Sequence, residues 1–65
     1  MKYRELLKEL ADDGWVQIRQ TGSHRQLRHP TKPGAVTVAG RPGEDVPKST
    51  LASIVKQAGL ERKRR

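Results

Sequence analysis

The 65-residue sequence contains no cysteine and no phenylalanine, and only 32% of its residues are apolar. The lack of cysteine excludes disulfide bonds and zinc–thiolate sites, and it fits a reducing cytoplasm. With so few apolar side chains, a large ligand cavity is not expected. No apolar run approaches the roughly 20 residues that cross a membrane. The sequence therefore predicts one small cytoplasmic domain with a marginal core.

Acidic residues are missing from the middle of the chain. Residues 15–41 contain no Asp or Glu but five cations, namely Arg19, Arg25, Arg28, Lys32 and Arg41. Residues 1–14 carry a net charge of −1, whereas residues 46–65 carry +5 and end in a basic tail at 61–65. Charged surfaces also serve solubility alone. A long stretch of cations without anions nevertheless favours a nucleic acid as the partner of the middle and C-terminal parts.

Hydrophobic periodicity predicts the element order α-β-β-β-α. Apolar residues recur at helical spacing near each end of the chain: Tyr3, Leu6, Leu7 and Leu10, then Leu51, Ile54, Val55 and Ala58. Between them, residues 15–20, 24–29 and 35–39 alternate as strands do. Gly14 and Gly59 are natural ends for the two helices. The second helix begins either at Pro47 as its first residue or after Ser49 as its N-cap.

This order predicts an α+β domain over residues 1–60, with a three-stranded antiparallel sheet and both helices on one face. Leu27 is the only apolar residue of the second strand, so its face should be the core side. His24 and Arg28 should then lie on the open face. His29 lies on the face opposite His24, and we expect a structural role for it. We expect Trp15 to be exposed or half-buried and to pack rather than stack on bases.

The segment Gly22-Ser23-His24 is the first candidate for chemistry. It lies at the turn between the first two strands, within the acid-free stretch. A neutral imidazole beside a phosphodiester can act as a general base, which makes RNA the first substrate to consider. Arg28 could stabilise the negative charge that develops on the phosphate. The same three residues also fit a plain hairpin turn followed by a polar strand residue.

Further residues are candidates for phosphate binding. Lys48 lies at the start of the second helix, where backbone N–H groups favour anions. The predicted RNA-binding set is Gly22, Ser23, Arg25, Arg28, Arg41 and Lys48. The two histidines point to opposite strand faces, and the acidic residues are remote from the basic strands. We therefore expect no metal and no cofactor.

Several short segments, taken together in order, resemble the HicA toxins of bacterial and archaeal toxin–antitoxin pairs. They are Gly14-Trp15-Val16, Gly22-Ser23-His24, His29-Pro30, Lys32-Pro33-Gly34, Val36-Thr37-Val38, Thr50-Leu51, Ser53-Ile54 and Lys56 to Leu60. The resemblance implies a fold like the double-stranded RNA-binding domain, ribosome-independent mRNA cleavage and inhibition by a HicB antitoxin. It places the family's catalytic histidine on His24. Many members carry a histidine after the third strand, where this chain has Arg41.

The sequence thus predicts a metal-independent endoribonuclease with His24 as general base, and it names no general acid for the leaving oxygen. Two alternatives remain open. One is a non-catalytic double-stranded RNA-binding domain. The other is a protein-interaction module whose basic face docks an acidic partner.

Overall fold

Three antiparallel strands lie between two helices along the chain. The elements are α1 (Tyr3–Asp13), β1 (Val16–Thr21), β2 (His24–Arg28), β3 (Ala35–Ala39) and α2 (Lys48–Ala58). The computed structural model describes residues 1–60, so the basic tail expected at 61–65 lies outside the described residues. The predicted α+β class and the order α-β-β-β-α are confirmed.

Capping residues define the ends of both helices. The backbone N–H of Lys2 donates to Glu5 Oε1 at 2.8 Å, which closes the first turn of α1. Gly14 ends α1 at φ +108°, in the left-handed region that glycine enters without a Cβ penalty. Pro47 is the N-cap of α2, so this helix begins at Lys48, between the two predicted starts. Gly59 ends α2, as predicted.

The sheet has the order β1-β2-β3, with β2 in the centre and both pairs antiparallel. Leu27 lies opposite Val36 and is only 4% exposed, so its face is the core face. The same pleat turns His24 and Arg28 to the open face, as predicted. The core contains residues from both helices and the sheet: Tyr3, Leu6, Leu10, Trp15, Leu27, Val36, Val38, Val46, Ile54, Ala58 and Leu60.

Trp15 is only 3% exposed, so the expectation of an exposed or half-buried ring is wrong. It lies before β1, in the connection from α1, and its backbone N–H donates to the Leu10 carbonyl at 3.0 Å. Its ring meets that of His29 edge to face, with centroids 5.3 Å apart. Trp15 therefore contributes to the core, and it is not available to stack on a base.

Strand β1 contains an irregularity that the alternating sequence pattern does not reveal. Gln17 lies opposite Leu27 and Arg19 lies opposite Gln26, so Ile18 is an extra residue in the ladder. Such a bulge shifts the alternation by one position. Alternation from Trp15 places Arg19 on the face of Gln17. In the structure, Arg19 is on the open face instead.

The loop between β3 and α2 is held by the first turn of α1. The backbone N–H groups of Tyr3 and Arg4 donate to the carbonyls of Glu44 and Pro42, at 3.0 and 3.1 Å. The Val46 N–H donates to the Met1 carbonyl at 2.8 Å. This loop follows β3 and includes Arg41, so its position depends on the first residues of the chain.

Candidate active site at the tip of the β1–β2 hairpin

His24 is exposed on the open face of the sheet, at the first position of β2. It pairs with Thr21 of β1 on one side and with Ala39 of β3 on the other. Its imidazole therefore stands at the hairpin end of the central strand, on the face that the helices leave uncovered. This position leaves the imidazole accessible to a substrate.

A cavity of about 270 Å³ surrounds His24 on this face. Its lining combines the histidine with two arginines, two threonines and a glutamine, namely Arg19, Thr21, His24, Arg25, Gln26 and Thr37. A guanidinium and a titratable ring in one open cavity can bind a phosphate and transfer a proton. The sequence analysis did not select Arg19. Its pairing with Gln26, which shares the open face with His24, places it in this cavity.

A second cavity of about 360 Å³ lies at the same hairpin end. It is lined by Gln20, Gly22, Ser23, Arg25, Gly40, Arg41 and Pro42. Arg25 lies opposite Val38, whose side chain is fully buried, so the Arg25 side chain belongs to the helix-facing side of the sheet. Its Nη1 donates to the Gly40 carbonyl at 3.3 Å. The structure thus brings four residues predicted for RNA binding into one cavity: Gly22, Ser23, Arg25 and Arg41.

The turn between β1 and β2 depends on Gly22. Its φ is +59°, which an L-residue with a Cβ adopts only at a cost. The Gln20 side-chain amide donates to the Gly22 carbonyl at 3.1 Å, and the Gly40 N–H donates to the Ser23 carbonyl at 3.2 Å. A Cβ on Gly22 would meet no atom within 4 Å. The conformation, not crowding within the protein, therefore requires glycine, and the space beside it is open.

Arg28 and Lys48 lie away from these two cavities. Arg28 shares the open face with His24 but stands at the other end of β2, about 13 Å along the strand. Lys48 is exposed at the first position of α2. Neither lines the cavity around His24. Their charges extend the basic surface beyond the residues that line the two cavities.

His29 has the structural role that was predicted for it. Its Nε2 donates to the Asp13 carbonyl at 2.7 Å, and its Nδ1 accepts from the N–H groups of Thr31 and Lys32, both at 3.1 Å. These partners assign the ring proton to Nε2. A Cβ on Gly14 would come within 2.8 Å of the same Nε2. The ring therefore fastens the end of β2 to the end of α1.

Among residues 1–60, no three His, Cys, Asp or Glu side chains come together as a metal-binding group. In the same part of the chain, no helix has the length and apolar character needed to cross a membrane.

The fold and the site define a small basic α+β domain with an open sheet face and a histidine at its hairpin tip. The model of the HicA toxins of bacterial toxin–antitoxin systems matches residues 3–60, and the chain belongs to this family. The resemblance seen in the sequence motifs is thereby confirmed. Membership makes the chain a toxin of a toxin–antitoxin pair, which implies an antitoxin partner. Comparison with curated proteins gives no significant match.

Proposed function

We propose that this toxin is a metal-independent endoribonuclease that cleaves mRNA in the cytoplasm, with His24 as the general base. One observation carries the proposal: an exposed imidazole and the guanidinium of Arg19 line the same cavity on the open sheet face. Family membership supports the toxin role, and the resemblance in the motifs supports RNA as the target.

The chemistry follows from the groups in that cavity. The neutral imidazole of His24 takes the proton from a ribose 2′-hydroxyl, and the 2′-oxygen attacks the adjacent phosphorus. The bond from phosphorus to the 5′-oxygen breaks, which leaves a 2′,3′-cyclic phosphate and a free 5′-hydroxyl. The leaving oxygen takes a proton from the imidazolium or from water. Arg19 stabilises the charge that grows on the phosphate oxygens.

Substrate binding uses cations and turn residues around this centre. Gly22, Ser23, Arg25 and Arg41 hold phosphates at the hairpin tip, while Arg28 and Lys48 add contacts farther along the basic surface. Phosphate contacts position RNA without reading its sequence, so these residues set affinity and not base preference. The order α-β-β-β-α, with an open sheet and Lys48 at the start of α2, supports a likeness to double-stranded RNA-binding domains.

The proposal includes inhibition of the toxin by a cognate HicB-type antitoxin. The toxin carries a formal net charge of +7, so an antitoxin with an acidic surface would associate rapidly with the basic face. Coverage of the His24 cavity would keep RNA away from the imidazole.

The test is induced expression of the wild type and His24→Ala in a bacterial host, with growth and RNA integrity followed together. We expect growth arrest and RNA cleavage from the wild type only. Circular dichroism of purified His24→Ala should match the wild type, because the exposed imidazole contributes little to stability. A folded His24→Ala protein that cuts RNA at the wild-type rate would remove His24 from the mechanism.

Purified protein tests the chemistry. Cleavage should persist in EDTA, its products should end in 2′,3′-cyclic phosphate, and a substrate with 2′-hydrogens should stay intact. Activity that is lost in EDTA and restored by magnesium would overturn the metal-independent mechanism. RNA binding by the wild type without any cleavage would instead support the non-catalytic RNA-binding alternative.

A further inference from the structure

The two cavities at the hairpin tip lie on opposite sides of the sheet and share one residue. The His24 cavity opens on the uncovered face, whereas the cavity at Gly22, Ser23 and Arg41 opens on the side of the helices. Arg25 lines both cavities. The hairpin tip therefore separates two sites that a single flexible ligand could occupy at once.

The helix-side cavity has the chemistry of an anion site. Arg25 is half-buried and its guanidinium is held by the Gly40 carbonyl, so one cation is already oriented. Arg41 brings a second cation, and Ser23 a hydroxyl. The residues that line the cavity include no carboxylate. Glu44 lies beside it, where its Oε1 accepts from the Arg41 backbone N–H at 3.2 Å.

From this arrangement we infer a second phosphate subsite in the helix-side cavity, so that one RNA strand crosses the hairpin tip with a flanking phosphodiester held there. The inference rests on the proposed function and adds the form of the bound substrate. A single strand can bend around the tip to reach both cavities. A duplex is stiff on this scale, with a persistence length on the order of 50 nm for DNA, and it reaches only one of them.

Binding measurements test the subsite without cleavage. The His24→Ala protein serves as a non-cleaving background, and the probes are a fluorescent single-stranded oligoribonucleotide and a duplex of the same sequence. Arg41→Gln and Arg25→Gln are compared with Lys8→Gln, which removes the same charge from an exposed position on α1. Arg25 also bonds Gly40, so circular dichroism checks its fold, while exposed Arg41 carries the test independently.

We expect Arg41→Gln to weaken single-strand binding about tenfold and to lower the slope of log affinity against log salt by about 0.7, the value for one contact to a single strand. Duplex binding should fall no further than it does for Lys8→Gln. One neutral methylphosphonate linkage, moved along the strand, should abolish the Arg41 effect at a single flanking position. Glu44→Gln, which removes a negative charge and keeps an acceptor oxygen, should strengthen binding.

The outcomes separate the two proposals. If Arg41→Gln and Arg25→Gln bind the single strand as Lys8→Gln does, or weaken the duplex equally, the subsite is overturned even when the wild type cleaves RNA. If the predicted binding pattern appears but the wild type does not cleave the same strand, the subsite stands and the nuclease proposal fails. Absence of any RNA binding overturns both.

Discussion

Lys32 forms an ion pair with Asp13, the last residue of α1: its Nζ donates to Asp13 Oδ2 at 2.5 Å. The same ammonium donates to the carbonyls of Ala58 at 2.9 Å and Gly59 at 3.3 Å. Lys32 lies in the turn between β2 and β3, so one side chain joins the sheet to the C-terminal ends of α1 and α2. A cation is favourable at both ends because the helix dipoles place negative charge there.

We therefore predict that Lys32→Met lowers the free energy of unfolding by about 2 kcal/mol, because it removes one charged donor from three acceptors in a partly buried place. Urea denaturation of Lys32→Met and of Lys56→Met, which alters an exposed residue of α2, measures the difference. Equal midpoints for the two variants would contradict the bridging role.

Replacing each of the two histidines by alanine should have opposite effects on stability and on RNA cleavage. His29→Ala should lower the melting temperature by roughly 10 °C, because it removes a partly buried ring that bonds the Asp13 carbonyl and two backbone N–H groups. It should keep RNA cleavage per folded molecule at low temperature. His24→Ala should keep the wild-type melting temperature and lose RNA cleavage. Thermal unfolding and a cleavage assay on the same samples test both, and a stable but inactive His29→Ala protein would argue against this division.

Arg19 should affect turnover more than Arg28 or Lys48. Arg19 lines the His24 cavity, while Arg28 is about 13 Å along β2 and Lys48 is on α2. Arg19→Gln should reduce kcat about 100-fold, as loss of a transition-state donor does. Arg28→Gln and Lys48→Gln should mainly raise KM. Steady-state kinetics on one RNA separate the two effects, and an unchanged kcat for Arg19→Gln would leave that residue a binding role only.

Gly22 should tolerate asparagine better than alanine. At φ +59° alanine is strained by about 1 kcal/mol, whereas asparagine enters the left-handed region more readily. Gly22→Asn should therefore keep nearly wild-type stability. It should still weaken RNA binding, because its side chain projects into the open space that a phosphate would approach. Urea unfolding and an RNA-binding assay on both variants test this. Wild-type affinity in the asparagine variant would show that Gly22 serves the turn alone.

The sequence was sufficient for the element order and for the face that His24 occupies. Leu27 as the one apolar residue of β2 identified the core side, and the pleat then turned His24 outward. Helical spacing and the glycines at 14 and 59 gave the two helices for the same reason: local periodicity and capping are properties of short segments.

What the sequence did not reveal depends on contacts between distant segments. The bulge at Ile18 and the pairing of Arg19 with Gln26, on the open face, appear only in the register of β1 against β2. Trp15 is buried in the core formed by both helices and the sheet, and the alternation pattern does not indicate that packing. Lys32 bonds partners 19 and 26 residues away, and no local rule predicts such a contact.

The bonds between the first turn of α1 and the loop that follows β3 matter for anyone who produces this protein. The Met1 carbonyl accepts from the Val46 N–H. The N–H groups of Tyr3 and Arg4 donate to the carbonyls of Glu44 and Pro42, in the loop that contains Arg41. An affinity tag fused before Met1 therefore begins beside Val46, in the loop that also contains Arg41. It can disturb the bonds that hold this loop and so move the Arg41 guanidinium away from RNA.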